Sequence, residues 1–112
     1  MSIEIRIKRY SACSDAEKID LLARLAFELT ILARDCYEPG QSGLTNPPRV
    51  RILNEIQHRV TSALLSMIHK DPGRYPDDVL VRIILDHPED NALASQLEKT
   101  FVKILTQSGA AA

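Results

Sequence analysis

The sequence predicts an all-α fold: a compact four-helix bundle-like domain preceded by a short extended N-terminal arm. Three observations predict this class. Apolar residues recur at helical spacing in each long segment, helix-start and helix-stop signals bound those segments, and the one alternating pattern lies at the amino terminus. A length of 112 residues corresponds to a single helical domain, with the arm over residues 1–10 and a frayed tail over residues 109–112.

The first ten residues are predicted to be extended. Ile3, Ile5 and Ile7 alternate with charged residues, a period of two that suits a strand with one apolar face. Such a strand has no partner in an otherwise helical chain, so the arm must lie along the helices, pair with the arm of a second copy or stay mobile. The free energy of leaving three isoleucines in water favours the first two arrangements.

The first helix is predicted over residues 14–38. Ser14 and Glu17 form a capping box at its start, and Pro39 and Gly40 stop it. Helical spacing gives it an apolar stripe that should face the core. The stripe consists of Ile19, Leu22, Ala26, Leu29, Ala33 and Cys36, and Ala23, Leu25 and Leu32 widen it.

The opposite face of that helix contains an anomaly. Asp20, Arg24 and Glu28 recur every fourth residue, which is typical of an exposed ladder of ion pairs. Phe27 and Ile31 nevertheless lie on the same side. Either the amino-terminal arm covers these two side chains within one chain, or a second copy of the protein covers them.

The second helix has the clearest start signal in the chain. Asn46 suits the N-cap position and Pro47 the first helical position, and the helix should run to about His69. Its core-facing stripe consists of Leu53, Ile56, Val60, Ala63, Leu64 and Met67.

A third helix is predicted over residues 76–86. Its β-branched side chains would also suit a strand, but Asp78, Arg82 and Asp86 recur every four residues while Val79, Leu80, Ile83 and Ile84 fall together. His87 is a candidate cap for the end of this helix. A fourth helix is predicted over residues 90–107. The side chains that should face the core are Leu93, Leu97, Phe101 and Ile104.

Glu55 and His58 have the Glu-x-x-His spacing with which some helical bundles hold a metal ion. The helical wheel places both on the polar side of the second helix, away from the bundle interior. A metal-dependent enzyme is therefore a weaker hypothesis than the anion-binding protein and the interaction protein described below. No cofactor is expected.

Arg49 and Arg51 lie in the first turns of the second helix, where cations oppose the helix dipole. An anion on the free N–H groups of this turn would resolve the conflict, which suggests a binding site for a small anionic or phosphate-bearing ligand. The alternative is that Arg51 pairs with Glu55 and that Arg49 reaches an acid elsewhere.

Charge and cysteine content bound the environment of the protein. The net charge is -1, but the first ten residues hold three cations and one acid, whereas residues 71–90 hold six acids and two arginines. Cys13 and Cys36 lie at opposite ends of the first helix, roughly 33 Å apart, so they are predicted to be free thiols. The sequence shows no secretory signal and no membrane-spanning segment, which predicts a cytoplasmic protein that does not contact membranes.

These features together predict a small interaction or regulatory protein that self-associates, as a homodimer, or binds another protein, without catalysis of its own. The predicted interface residues are Ile3, Ile5, Ile7, Phe27 and Ile31, and Leu65 and Val102 are further apolar residues on polar faces. Nucleic acid is not an expected partner, because the third helix is acidic and would be repelled by phosphates.

Overall fold

The computed structural model describes residues 3–36 and 47–107. These residues form five α-helices and no strand, which confirms the all-α class. The helices are α1 (Ile3–Ser11), α2 (Asp15–Arg34), α3 (Pro47–Ile68), α4 (Asp77–Leu85) and α5 (Asn91–Gln107). None of the five has both the length and the hydrophobicity that crossing a membrane requires.

The amino-terminal segment is a helix, which corrects the predicted extended arm over residues 1–10. Ile3 and Ile7 are four positions apart, so they share one helical face and are half-buried against the core. Ile5 lies on another face and is 49% exposed. The alternation is ambiguous because positions i and i+4 coincide on a helix as well as on a strand.

Tertiary packing explains why α1 forms. Arg6 and Tyr10, again four positions apart, are buried within the protein, and α1 packs mainly against α4. Glu4 in the first turn and Lys8 in the last turn also suit the helix dipole. The described residues therefore contain five helices instead of four helices and an arm.

The start of α2 is as predicted. The Glu17 backbone N–H donates to Ser14 Oγ at 3.1 Å, and the Ser14 N–H donates to Glu17 Oε1 at 2.7 Å, which is a complete capping box. The predicted stop at Pro39 and Gly40 and the predicted N-cap at Asn46 lie outside the described residues. So does the predicted frayed tail over residues 109–112.

The buried face of α2 is rotated from the predicted stripe. Ile19, Ala26 and Ala33 are only partly buried, and Ala23 is exposed. Because α2 packs against both α3 and α5, its buried surface is wider than a single stripe. The buried residues of α2 are Lys18, Leu21, Leu22, Leu25 and Leu29.

The inward faces of α3 and α5 are as predicted, with Leu64 only partly buried, whereas α4 is rotated. In α4, Val79 is 41% exposed and Ile83 is half-buried, and Val81 and Leu85 are buried beside Leu80 and Ile84. His87 caps α4 as predicted, because its Nε2 donates to the Ile83 carbonyl oxygen at 2.8 Å.

Neither Cys13 nor Cys36 forms a disulfide, as predicted, and both are buried. The thiol of Cys13 donates to the Arg9 carbonyl oxygen at 3.5 Å, and that of Cys36 donates to the Leu32 carbonyl oxygen at 3.5 Å. Burial raises the pKa of Cys13, so its thiol stays protonated near neutral pH. These contacts suit a structural role.

Candidate interaction surface

Phe27 lies on the outward face of α2 and is 66% exposed. It borders a groove of about 460 Å³ between α2 and α5. Four α2 residues line one wall, among them Ala23 and Arg24, and four α5 residues line the other, among them Lys103 and Ile104. The lining of the groove thus mixes apolar, polar and charged side chains, and protein-binding surfaces also combine these types.

Charged residues surround Phe27 on α2. Arg24 Nε lies 3.1 Å from Asp20 Oδ2, and each side chain of this pair is 48% exposed. The pair forms one step of the predicted ion ladder. An ion pair this exposed contributes little to stability, so both side chains can reorient to meet a partner.

The amino-terminal helix does not cover Phe27. Helix α1 packs mainly against α4, and Ile3 and Ile7 face the core. Ile31 is half-buried one turn after Phe27 on α2. Of the five predicted interface residues, Ile5 and Phe27 are exposed, and they lie on different helices.

Two other apolar residues singled out by the sequence lie elsewhere. Leu65 is 50% exposed on α3 and does not line the groove beside Phe27. Val102 is half-buried and lines a separate groove with Arg6 and Lys99. Among the residues predicted to form the interface, Phe27 is the one that is both highly exposed and part of the groove between α2 and α5.

The basic and acidic segments of the sequence meet inside the same chain. The basic α1 packs against the acidic α4, and Arg82 donates from Nη2 to Glu4 Oε1 at 3.0 Å. Arg6 of α1 reaches Glu98 of α5 at 3.2 Å. The pair of Arg82 with Glu4 joins an arginine of the acidic segment to the one acid of the basic segment, so it does not neutralise the charge polarity between the two segments.

The candidate anion site has an acid as its neighbour. Arg49 donates from Nε and Nη2 to the two carboxylate oxygens of Asp90, each at 2.8 Å. Asp90 also accepts from the Leu93 N–H at 3.0 Å, so it caps α5. Arg51 is exposed on the outer side of α3. The charge of Arg49 is thus matched by a carboxylate, and a small-anion site here stays a prediction.

Asp90 gives a testable pH dependence. Its hydrogen bonds to Arg49 and to the Leu93 backbone hold the pKa of Asp90 below its usual value of 3.8. The native state therefore binds this proton less tightly than the unfolded chain does. The resulting stabilisation is fully present above the unfolded pKa and is lost as the pH falls through the lowered native pKa.

We expect Asp90→Asn, which keeps a capping side chain, to lower the free energy of unfolding by about 1–2 kcal/mol at pH 7. The difference from the parent protein should shrink below about pH 4 in urea denaturation measured across pH. Asp86→Asn, at an exposed acid in the same connection, is the control and should show no such loss. A constant difference for Asp90→Asn down to pH 2 would contradict the pairing.

The candidate metal ligands do not converge. Glu55 accepts from Arg59 Nε at 2.8 Å, and the same arginine donates from Nη1 to the Tyr75 hydroxyl at 2.9 Å. His58 is exposed. Within residues 3–36 and 47–107, no group of three or more His, Cys, Asp or Glu side chains could hold a metal ion.

The sequence did not reveal a buried polar cluster between α1, α2 and α4. Lys18 is buried, with Nζ 3.0 Å from Asp77 Oδ2 and 5.2 Å from the centre of the Tyr10 ring. Burial raises the pKa of Tyr10, so its phenol stays neutral. The cluster is closed to solvent on the Tyr10 side and fits a structural role. No spacing rule pointed to Lys18 as an inward residue.

A comparison of the chain with protein-family models, curated proteins and solved structures finds no match. The residues themselves are therefore the basis for inferring function. They define a small five-helix protein, over the described residues, with an exposed aromatic side chain beside a groove.

Proposed function

We propose that this protein is a small cytoplasmic interaction protein that self-associates through the outward face of α2, without catalysis of its own. The observation that carries the proposal is the 66% exposure of Phe27 on a helix face that also holds Ile31. A dimer would bury the Phe27 ring of each of its two copies, and the two rings together would contribute about 2–4 kcal/mol of favourable free energy.

Two findings support this proposal over the alternatives from the sequence. The α1 helix, which was the intramolecular candidate for covering Phe27, packs against α4. Arg49 is matched by Asp90, and Glu55 by Arg59, so neither the anion site nor the metal site gains support. Cys13 and Cys36 are buried and form no disulfide, which fits the reducing compartment that the proposal assumes.

The proposal is tested by sedimentation velocity of the full chain from micromolar to millimolar concentration. We expect the parent protein to dimerise and Phe27→Asp to remain monomeric, because a carboxylate at the centre of the contact would have to be desolvated. The Phe27→Asp protein should keep the helical circular dichroism of the parent, since residue 27 is outside the core.

Leu65→Asp is the matched control, because Leu65 is also a half-exposed helical residue but does not line the groove. It should dimerise like the parent protein. A parent protein that stays monomeric at millimolar concentration, or a Phe27→Asp variant that dimerises normally, would refute the proposal.

A further inference from the structure

We propose that two copies associate through antiparallel α2 helices, with a twofold axis that passes beside Phe27. This inference rests on the self-association proposed above and adds its geometry. Phe27 of one copy would pack against Phe27 of the other. The partner surface is then the same face of a second chain, as in the isologous dimers that are commonest among soluble oligomers.

The residue order on α2 is what selects this geometry. In an antiparallel pair centred on Phe27, a residue before the centre faces the residue equally far after it in the other chain. Ala23 then faces Ile31, four positions either side of Phe27. Asp20 faces Arg34, seven positions either side. Spacings of four and seven keep all these residues on one face of a helix.

The two sets of facing residues are complementary in size and charge. Ala23 is small and exposed, whereas Ile31 is branched and half-buried, so the isoleucine of one chain can fill the space above the alanine of the other. Asp20 and Arg34 are exposed and carry opposite charges. The pairing of Asp20 with Arg24 within the chain is half-exposed and does not prevent a second cation from approaching.

A parallel pair of α2 helices would lose this complementarity. Asp20 would then face Asp20 and Arg34 would face Arg34, which places like charges opposite one another twice. Ile31 would also face Ile31, so two branched side chains would compete for the same space. Ala23 would face Ala23, which would leave a gap between the helices. The antiparallel arrangement avoids these conflicts at Asp20, Ala23, Ile31 and Arg34.

Charge reversal tests the geometry directly. Asp20→Arg alone places two like-charged pairs in each dimer, and so does Arg34→Asp alone. We expect each variant to dimerise at least about tenfold more weakly than the parent in sedimentation velocity at low salt. An equimolar mixture of the two variants restores both opposite-charge pairs, and it should form heterodimers with an affinity close to that of the parent.

Glu55→Arg is the matched control for these variants. It reverses an acidic residue that pairs with an arginine one helical turn later, as Asp20 does, but it lies on α3. Glu55→Arg should dimerise like the parent. Mixing it with the Arg34→Asp variant should not raise the affinity of that variant for a partner chain to the parent's value. Circular dichroism of every variant should show the helix content of the parent.

Cysteine cross-linking provides a second measurement that does not depend on charge. Under mild oxidation, a mixture of Ala23→Cys and Ile31→Cys should give disulfide-linked dimers, whereas Ala23→Cys alone should give few. The native Cys13 and Cys36 are buried and should not compete.

The outcomes separate the geometry from the proposed function. A monomeric parent protein overturns both. If Phe27→Asp abolishes dimers but the Asp20→Arg and Arg34→Asp variants dimerise normally, or their mixture shows no recovery, self-association stands and the antiparallel arrangement is wrong. Equal cross-linking by Ala23→Cys alone and by the mixture would also overturn it.

Discussion

Replacing Tyr10 with alanine is expected to lower the free energy of unfolding by about 3–5 kcal/mol, as for other large aromatic side chains deleted from a core. Tyr10 is 1% exposed, and its ring centre lies 6.3 Å from that of Phe101. The substitution would leave a cavity between α1 and α5 and would remove the ring that faces the Lys18 ammonium. Urea denaturation followed by circular dichroism measures the loss.

Ile5→Ala is the control for Tyr10→Ala, because Ile5 lies on the same helix and is 49% exposed. It should change stability by no more than about 0.5 kcal/mol. If Tyr10→Ala were as stable as the parent protein, α1 would not be part of the core, and the amino-terminal segment would again have to be considered a detachable arm.

Local signals in the sequence predicted most of the helices. The capping box of Ser14 and Glu17 is decided by residues three positions apart, and the inward faces of α3 and α5 follow from one dominant packing direction. Such features need no knowledge of distant parts of the chain. For that reason helix starts and single stripes could be predicted from the sequence alone.

Features that depend on tertiary neighbours could not be predicted in this way. The alternation of Ile3, Ile5 and Ile7 is compatible with two secondary structures, and packing of α1 against α4 decides between them. The rotation of α2 likewise reflects contact with both α3 and α5. A helical wheel assumes a single packing partner, so it misplaces the buried face wherever a helix has two.

The candidate site shows the same division. The helical wheel predicted that Phe27 lies on a polar face, and its exposure agrees with this. It could not say which acid meets Arg49, because Asp90 is 41 residues away in sequence and the chain offers many acids. Long-range ion pairs depend on the fold, whereas exposed apolar residues on a helix are visible in its periodicity.

The partly buried pair of Lys18 and Asp77 leads to a second prediction of large effect. We expect Asp77→Asn to lower the free energy of unfolding by about 2–3 kcal/mol, because the buried Lys18 ammonium loses its charged partner. The Lys18 side chain is only 8% exposed, whereas that of Asp77 is 31% exposed. Water can therefore reach the carboxylate but compensates the ammonium poorly when its partner is lost.

Asp78→Asn is the matched control, because Asp78 also lies in the first turn of α4 but is exposed. Both substitutions remove a favourable interaction with the helix dipole, worth about 0.3–1 kcal/mol. The excess loss for Asp77→Asn in urea denaturation therefore measures the pairing with Lys18. Equal losses for the two variants would show that the ion pair contributes nothing.

A double substitution determines where the cost of Asp77→Asn originates. Lys18→Met keeps much of the apolar stem beside Tyr10 and removes the charge that would be left buried. We therefore expect Lys18→Met combined with Asp77→Asn to be more stable than Asp77→Asn alone, by about 1–2 kcal/mol. If the double variant were less stable than Asp77→Asn, the Lys18 ammonium would stabilise the fold even without Asp77, through the contact with the Tyr10 ring that the single variant retains.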